Sequence, residues 1–153
     1  MSKSVKHLRN IKNNDEYGTR SFLFLEACKK FDCTPVVDYF ASKQNHVLKK
    51  YWTKEDDSFS KKWTKDGFIN PPYSIVKDVM AKAYNEHKKH NITLLILTYN
   101  KTDTRWWHTY VENCPTCEVH FQKGRIKFVD KNGDLTKQSA PYPSVWIIYR
   151  GQK

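Results

Sequence analysis

The chain has 153 residues, and its 27 Lys and Arg residues outweigh 16 Asp and Glu residues to give a formal charge of +11. This length supports one domain with a substantial core and excludes a second. No apolar run is long enough to span a membrane, and the first residues lack the apolar core of a signal peptide. We therefore expect a cytoplasmic protein whose partner is a polyanion and not a membrane.

The first part of the chain predicts an arm, a helix and a strand. Residues 1–14 are basic and polar without apolar periodicity, which predicts a flexible arm ahead of a single domain at 15–153. The stretch 21–31 has apolar residues at helical spacing, with Ser21 placed as the N-cap. A short β-branched strand then leads to Asp38, and the small residues behind it are typical of the nucleotide-binding turn of Rossmann-like folds. An Asp after a strand is also a common helix cap, so this pattern alone leaves both roles open.

Residues 43–67 combine a short helix, predicted around 45–50, with the acidic run Glu55-Asp56-Asp57. Such a run is commonly a solvated turn. It also suits a carboxylate contact to the amine or hydroxyl groups of a bound cofactor. Both interpretations stay open at this point.

The stretch with the most chemical content is Asn70-Pro71-Pro72-Tyr73, which ends the apolar run Phe68-Ile69. Adjacent prolines have a fixed φ and no amide donor, so a strand that enters them stops and the backbone there is rigid. At the carboxyl end of a central strand in an open α/β sheet, such a turn faces the ligand crevice. The sequence therefore predicts a binding site at this turn.

The chemistry that suits this turn is methylation of a planar exocyclic amine. The side-chain oxygen of Asn70 and the carbonyl oxygen of Pro71 can accept hydrogen bonds from one amino group, while Tyr73 stacks on the attached ring. Preorganised polar groups can give roughly 3 kcal/mol each in a dry site, and a base stacked on an aromatic ring adds about 1–3 kcal/mol. The alternative is a plain strand exit with Tyr73 in the core. The motif also occurs in enzymes that methylate RNA bases and protein glutamine amides, so it does not fix the substrate.

The rest of the chain completes an α/β pattern. A helix capped by Ser74 is predicted after the turn, followed by a strand at 92–98 that is apolar enough to be buried on both faces. Strands are predicted over 118–129, broken at 123–125, then a hairpin turn at 130–134 and a final strand at 144–149.

A Cys-x-x-Cys segment at Cys114 and Cys117 has metal-ligand spacing. A second matched pair is missing, because Cys28 and Cys33 are spaced differently. We therefore expect reduced thiols without a metal ion.

Short segments spread over most of the chain carry a resemblance through their shared order and spacing. They are Asp15-Glu16-Tyr17 with Thr19, Asp38 with Ala41 and Asn45, Asp57-Ser58-Phe59, Asn70-Pro71-Pro72-Tyr73-Ser74, Thr102-Asp103-Thr104 with Trp106, Gly124-Arg125 before Phe128, and Ala140-Pro141 with Pro143-Ser144. On these residues the chain, from about 15 to 150, resembles the phage-type DNA adenine methyltransferase (Dam) family.

The resemblance implies a Rossmann-like methyltransferase fold in a minimal single α/β domain, with a mostly parallel central sheet and an antiparallel C-terminal hairpin. It implies transfer of a methyl group from S-adenosylmethionine to the N-6 amino group of adenine in DNA, with S-adenosylhomocysteine as product and no metal. The expected location is the cytoplasm of a bacterial, archaeal or phage-infected host cell. Because no room remains for a target-recognition domain, we expect short or relaxed sequence specificity.

The family motifs also assign roles to single residues. Asn70, Pro71, Pro72 and Tyr73 would hold the target adenine. The residues expected to contact the cofactor are Tyr17 and Thr19 at its methionine end, Asp38, Ala41 and Asn45 at the first-strand turn, and Asp57 at its adenine or ribose.

Polar, basic and aromatic residues after the predicted strand at 92–98 and in the C-terminal region suit nucleic-acid contact. The residues expected to contact DNA are Asn100, Lys101, Arg105, Trp106, Arg125 and Lys131, with Trp107 assigned to the core. Other classes stay open. The substrate could be RNA or a protein amide. The chain could also be a catalytically silent nucleic-acid-binding module, since Arg20 replaces a usual proline and Ser42 a usual glycine. A homodimer would enlarge the DNA surface, but the sequence does not show one.

Overall fold

The computed structural model describes residues 18–152. The predicted arm at 1–14 and the candidate cofactor residue Tyr17 lie outside the described residues. The elements in chain order are α1 (Ser21–Phe31), β1 (Val37–Asp38), β2 (Lys50–Tyr51), β3 (Gly67–Ile69), α2 (Val76–His90), β4 (Leu94–Tyr99), the short α3 (Arg105–Trp107) continued by a π-helical turn (His108–Glu112), β5 (Cys117–Phe121) and β6 (Ser144–Tyr149).

The strands form one sheet in the order β2-β1-β3-β4-β6-β5. Strands β2, β1, β3 and β4 are parallel, whereas β6 lies antiparallel between β4 and β5. These pairings confirm a small mixed α/β domain with a mostly parallel sheet and an antiparallel C-terminal pair. The carboxyl ends of β1, β3 and β4 therefore meet at one edge of the sheet, which we call the carboxyl edge.

Helices cover both faces of the sheet. Strand β4 shows why, because Leu94 and Ile96 pack into the core on one face while Leu95 and Leu97 pack into the core on the other. All four side chains are fully buried, so the prediction of a strand buried on both faces is confirmed. Helix α2 packs in the first core and α1 in the second. This three-layer arrangement leaves the strand ends free to build a site.

Three local predictions were wrong at helix starts and in the 43–50 segment. Arg20, not Ser21, is the N-cap of α1. A 3₁₀ turn at Tyr73–Ile75 precedes α2, so Ser74 lies inside that turn and does not cap the helix. No helix forms at 45–50, because the backbone there is bonded elsewhere: the Val47 N–H donates to the Asp38 carboxylate at 3.0 Å.

The connection between β5 and β6 also differs from the prediction. The strand pattern predicted beyond residue 125 is reduced to single bridges from Val129 to Gly18 and to Leu135. The predicted turn at 130–134 is present, with a hydrogen bond of 3.0 Å from the Gly133 N–H to the Asp130 carbonyl. Gly133 has φ +87°, a conformation that glycine adopts without strain. Among residues 18–152, no helix is long and apolar enough to cross a membrane.

Candidate functional site

A cavity of about 580 Å³ opens at the carboxyl edge of the sheet. This volume lies within the range of small-molecule and cofactor pockets. Its walls come from the β1 end and the loop behind it, from the segment after β2, from the end of β3, and from the residues just before α1. The lining residues are Gly18, Thr19, 38–47, Tyr51, Thr53, Lys54, Glu55, Ser58, Phe68, Asn70 and Pro72.

Asp38 is the buried acid of this cavity, with only 3% of its surface exposed. Its Oδ2 accepts the Val47 N–H, whereas Oδ1 is buried without a hydrogen-bond partner among the described residues. Burial raises the pKa of this carboxyl to about 7, against the opposing effect of the backbone N–H groups of Val47 and Phe40. Asp38 therefore has an unused acceptor beside a cavity that can hold a ligand donor.

One wall joins three segments that are distant in sequence. The Gly18 N–H donates to the Val129 carbonyl at 2.6 Å, and the Val129 N–H donates back at 2.8 Å. The Asn45 side-chain amide donates to the Asp130 carbonyl at 2.5 Å. A Cβ at Gly18 would lie 2.7 Å from Asn45 Cβ, so only glycine fits there. Thr19 follows in this wall, and its buried Oγ1 has no partner among the described residues.

The opposite wall carries an aromatic pair and a carboxylate. The rings of His46 and Tyr51 stack at 3.9 Å with an 8° angle, and both line the cavity. Glu55 also lines it and accepts a hydrogen bond of 2.7 Å from the Thr53 hydroxyl, which lowers the pKa of Glu55. Asp57 belongs to the same acidic run but does not line the cavity. The acid of this run that faces the cavity is therefore Glu55.

The Asn-Pro-Pro-Tyr turn lies between this cavity and the end of β4. Strand β3 ends at Ile69, and Asn70 and Pro72 line the cavity, while Pro71 is buried. Tyr73 begins the following 3₁₀ turn and is not part of the cavity lining. The turn thus has one side at the cavity and the other at the carboxyl end of β4.

Three tyrosines meet on the β4 side. The ring centroid of Tyr73 lies 4.6 Å from that of Tyr99 and 6.5 Å from that of Tyr142. The Tyr99 and Tyr142 rings are 5.7 Å apart. We call Tyr73, Tyr99 and Tyr142 the tyrosine cluster. It places aromatic surface directly beside the turn.

The candidate DNA residues after β4 divide into surface and core positions. Lys101 Nζ lies 4.9 Å from the Tyr142 ring centroid and 5.9 Å from that of Tyr99, and the Asn100 N–H donates to the Pro143 carbonyl at 2.7 Å. Arg105 is exposed at the start of α3. Trp106 is only 6% exposed and packs in the core, so the structure removes it from the surface set.

Arg125 and Lys131 lie apart from these residues in the chain. Arg125 Nη1 donates to the Pro141 carbonyl at 2.7 Å, so this side chain fastens the loop that carries Tyr142. Lys131 is exposed in the 130–134 turn, next to the wall that Asn45 closes. Lys131 therefore lies beside the cavity wall, whereas Lys101 and Arg125 lie beside the tyrosine cluster and its loop.

Sequence reasoning did not single out Tyr142 or Glu55. A signal for Tyr142 existed, because an antiparallel last strand beside β4 puts the residues before Ser144 near the end of β4. The pairing of Tyr99 with Ser144 shows that relation. Glu55 lay in the acidic run, in which the resemblance assigned the cofactor contact to Asp57, and the sequence does not show which of these carboxylates faces the cavity.

The Cys-x-x-Cys segment holds free thiols. Burial raises the pKa of the Cys117 thiol to about 12, so it is protonated at neutral pH. Cys114 Sγ lies 3.3 Å from the Thr116 hydroxyl. Within the part of the chain that the structure describes, no group of three or more His, Cys, Asp or Glu residues is placed to hold a metal ion.

Fold and site together define a small α/β domain with a ligand cavity at the carboxyl edge of its parallel strands. The sequence profile described as DNA N-6-adenine-methyltransferase (Dam) matches residues 7–153, and the chain belongs to this family. The chain is also similar to the DNA N-6-adenine-methyltransferase of Haemophilus phage HP1 (strain HP1c1), with 26% identity over 144 residues, 92% of this chain and 82% of the relative. The family expected from the sequence is thereby confirmed.

Proposed function

We propose that the protein transfers the methyl group of S-adenosylmethionine to the N-6 amino group of adenine in DNA, and that S-adenosylhomocysteine and one proton of the amino group are released. The observation that carries this proposal is one cavity lined both by Asp38 at the end of β1 and by Asn70 and Pro72 of the turn after β3. A methyl donor in the cavity and an amine held at the turn would therefore be neighbours. Family membership supports the same reaction.

The fold supports the assignment to the Rossmann-like methyltransferases. The parallel strands place the cavity at their carboxyl ends, where open α/β sheets bind ligands. The antiparallel β6 between β4 and β5 completes the sheet. In this assignment, β1 provides the cofactor turn and β3 provides the turn for the target base.

The cavity fits S-adenosylmethionine by size and by its unused polar atoms. Asp38 Oδ1 and Thr19 Oγ1 are buried without partners among the described residues, and unsatisfied buried polar atoms of this kind are costly. The residues that would hold the cofactor are Thr19, Asp38, Ala41, Asn45 and Glu55. Asp57, whose Oδ1 is also buried without a partner among the described residues, precedes the lining residue Ser58 and stays a candidate. Tyr17 stays a sequence-based expectation. When bound, the cofactor supplies an electrophilic methyl group.

The chain's own residues act by positioning the target amine. The Asn70 side-chain oxygen and the Pro71 carbonyl accept its two N–H bonds, which directs the nitrogen lone pair away from the turn and toward the cavity. Tyr73 stacks on the adenine ring and fixes its plane. Correct placement of two reactants can supply about 7–11 kcal/mol of the barrier reduction. In duplex DNA the base must first leave the stack, at a cost of a few kcal/mol.

The test compares tritiated methyl transfer to DNA by the wild type and by Asn70→Ala. We expect the rate constant kcat to fall by about 10²–10³-fold, because one preorganised acceptor is lost where charge develops. Asn85→Ala is the matched control, since Asn85 is an exposed residue of α2 far along the chain from the turn. Near-equal incorporation by the wild type and Asn70→Ala would remove Asn70 from the chemistry.

Two measurements separate this function from its alternatives. A ligand at one hundred times its dissociation constant should raise the free energy of unfolding by about 2.7 kcal/mol. A wild-type protein that S-adenosylmethionine does not stabilise would be a silent nucleic-acid-binding module. Competition among DNA, RNA and a glutamine-containing protein for the tritiated methyl group decides the substrate class.

A further inference from the structure

We propose that Tyr142 binds the nucleotide next to the target adenine by stacking on its base, with Lys101 contacting the adjoining phosphate. This inference rests on the proposed function, because it takes Tyr73 as the residue that stacks on the target. Tyr142 is then the exposed ring of the tyrosine cluster, 6.5 Å from Tyr73. A DNA strand that delivers its adenine to the turn brings a neighbouring nucleotide to this ring.

Tyr142 is held in place without being buried. It is 44% exposed and is the exposed member of the tyrosine cluster, since Tyr73 and Tyr99 are half-buried. The loop around it is nevertheless fastened on both sides. Arg125 donates to the carbonyl of Pro141 at 2.7 Å, and the Asn100 N–H donates to the carbonyl of Pro143 at 2.7 Å.

This rigidity matters for binding. Prolines on both sides of Tyr142 restrict the backbone further, so the ring loses little freedom when a base stacks on it. The Tyr142 ring contacts the rings of Tyr73 and Tyr99 and keeps 44% of its surface exposed. A preorganised aromatic surface therefore stays accessible to a ligand.

The positive charge beside the ring suits a nucleotide, which offers both a base to stack and a phosphate to bind. Lys101 Nζ lies 4.9 Å from the Tyr142 centroid. An exposed cation–π contact of this kind is weaker than the stacking of a base on an aromatic ring. A base can therefore take the place of the ammonium, which then lies near the phosphate of the same nucleotide. Aromatic rings beside basic side chains are the usual pattern of single-strand nucleic-acid binding.

The experiment uses full-length wild type, Tyr142→Ala and Tyr142→Phe with a single-stranded oligonucleotide that carries one adenine. Tyr142→Ala should raise the KM for DNA by about 5- to 150-fold, the effect of losing one base–aromatic stack. Tyr142→Phe keeps the ring and should stay within about twofold of the wild type. Leu25→Ala is the control, because this side chain on α1 is more exposed, at 63%, and lies in another element.

Substrates with an abasic site on either side of the adenine identify the stacked nucleotide. An abasic site at the correct position should raise the wild-type KM to the level of Tyr142→Ala and leave the KM of the variant unchanged. Stabilisation by S-adenosylmethionine should be the same in every variant, because Tyr142 does not line the cavity. Equal KM values for wild type and Tyr142→Ala on the intact oligonucleotide would overturn the stacking site.

A binding measurement keeps the stacking site separate from the reaction. The fluorescence of 2-aminopurine placed next to the adenine should be quenched by the wild type and by Tyr142→Phe, but not by Tyr142→Ala. Tyr142-dependent quenching without any methyl transfer would contradict the proposed function and support the stacking site. Methyl transfer together with quenching that does not depend on Tyr142 would support the proposed function and contradict the stacking site. A change of oligomeric state in Tyr142→Ala would make this surface a protein interface and overturn the proposal.

Discussion

Asp38 shows how a single side chain can serve both fold and site. Its backbone carbonyl accepts the Trp52 N–H at 2.9 Å, and its carboxylate accepts the Val47 N–H at 3.0 Å. The residue therefore fixes the segments on either side of β2 to the end of β1. The remaining oxygen has no partner among the described residues, which ties the protonation of Asp38 to the occupancy of the cavity.

The raised pKa of Asp38 predicts how stability changes with pH. Burial shifts this pKa from 3.8 to about 7. Between these values the unfolded chain has released the proton while the folded chain keeps it, so the free energy of unfolding falls as the pH rises. The amide of the Asp38→Asn variant does not titrate in this pH range, so its stability lacks this pH dependence. We expect the variant to gain roughly 2–4 kcal/mol relative to the wild type between pH 4 and pH 8.

Urea unfolding at a series of pH values measures this difference. Asp103→Asn is the control, because Asp103 is exposed in the segment after β4. The same Asp38→Asn variant should lose stabilisation by S-adenosylmethionine at pH 8, where the wild type carries a carboxylate. Parallel pH profiles for wild type and Asp38→Asn would show that this carboxyl is ionised in the folded protein with an ordinary pKa.

Among the elements of the fold, the sequence predicts those whose conformation is determined by residues close to one another in the chain. The β3–turn–α2 unit was predicted because its apolar strand, two prolines and 3.6-residue periodicity all act within a few residues of one another. The conformation of the segment 43–60 was not predicted, because it depends on hydrogen bonds to residues in other segments of the chain. Val47 bonds to Asp38, and Asn45 reaches Asp130, far along the chain.

The same distinction applies to the candidate site. Asn70 and Asp38 are at strand ends, where a parallel sheet brings them together, and so the sequence could place both at one edge. Tyr142 stands in an irregular connection and depends on the antiparallel pairing of β6 with β4. Trp106 was predicted to contact DNA at the surface, but an aromatic residue beside a basic segment suits a core position equally well. The structure buries its indole.

The loop that carries Tyr142 gives a prediction at this scale. Arg125→Ala removes the hydrogen bond to the Pro141 carbonyl and frees the loop. We expect the KM for DNA to rise by up to about tenfold, since a hydrogen bond to a charged group is worth about 1.5–3 kcal/mol and this one is partly exposed. The value of kcat and the stabilisation by S-adenosylmethionine should not change.

Arg125→Lys separates the loop contact from the loss of positive charge. Lysine keeps the charge but lacks the guanidinium geometry that reaches the carbonyl. We expect this variant to resemble Arg125→Ala in its KM at low salt. If Arg125→Lys behaves as the wild type, Arg125 acts on DNA only through its charge, and the loop does not need it.

The whole molecule carries a formal charge of +11 and belongs to a family of DNA adenine methyltransferases. The positive charge attracts DNA of any sequence and makes binding weaken as salt rises. Reading a base requires contacts to base edges, each good bidentate pair giving about 1–3 kcal/mol of discrimination. Among the described residues, the connection at 39–49 and the first part of the connection at 52–66 line the cavity. We therefore expect the main recognition contacts to come from the connection at 122–143.

This arrangement predicts short or relaxed sequence specificity. In a pool of oligonucleotides with one adenine and randomised flanking bases, we expect methylation to depend only on the bases immediately beside the adenine. The preference should be about tenfold or less at each position, as one stacking or edge contact allows. The Asn70→Ala variant, in which we expect methyl transfer to be strongly reduced, serves as the background control. Sequencing of the methylated fraction measures the preference, and a requirement for five or more fixed bases would show that a recognition surface exists outside the 122–143 connection.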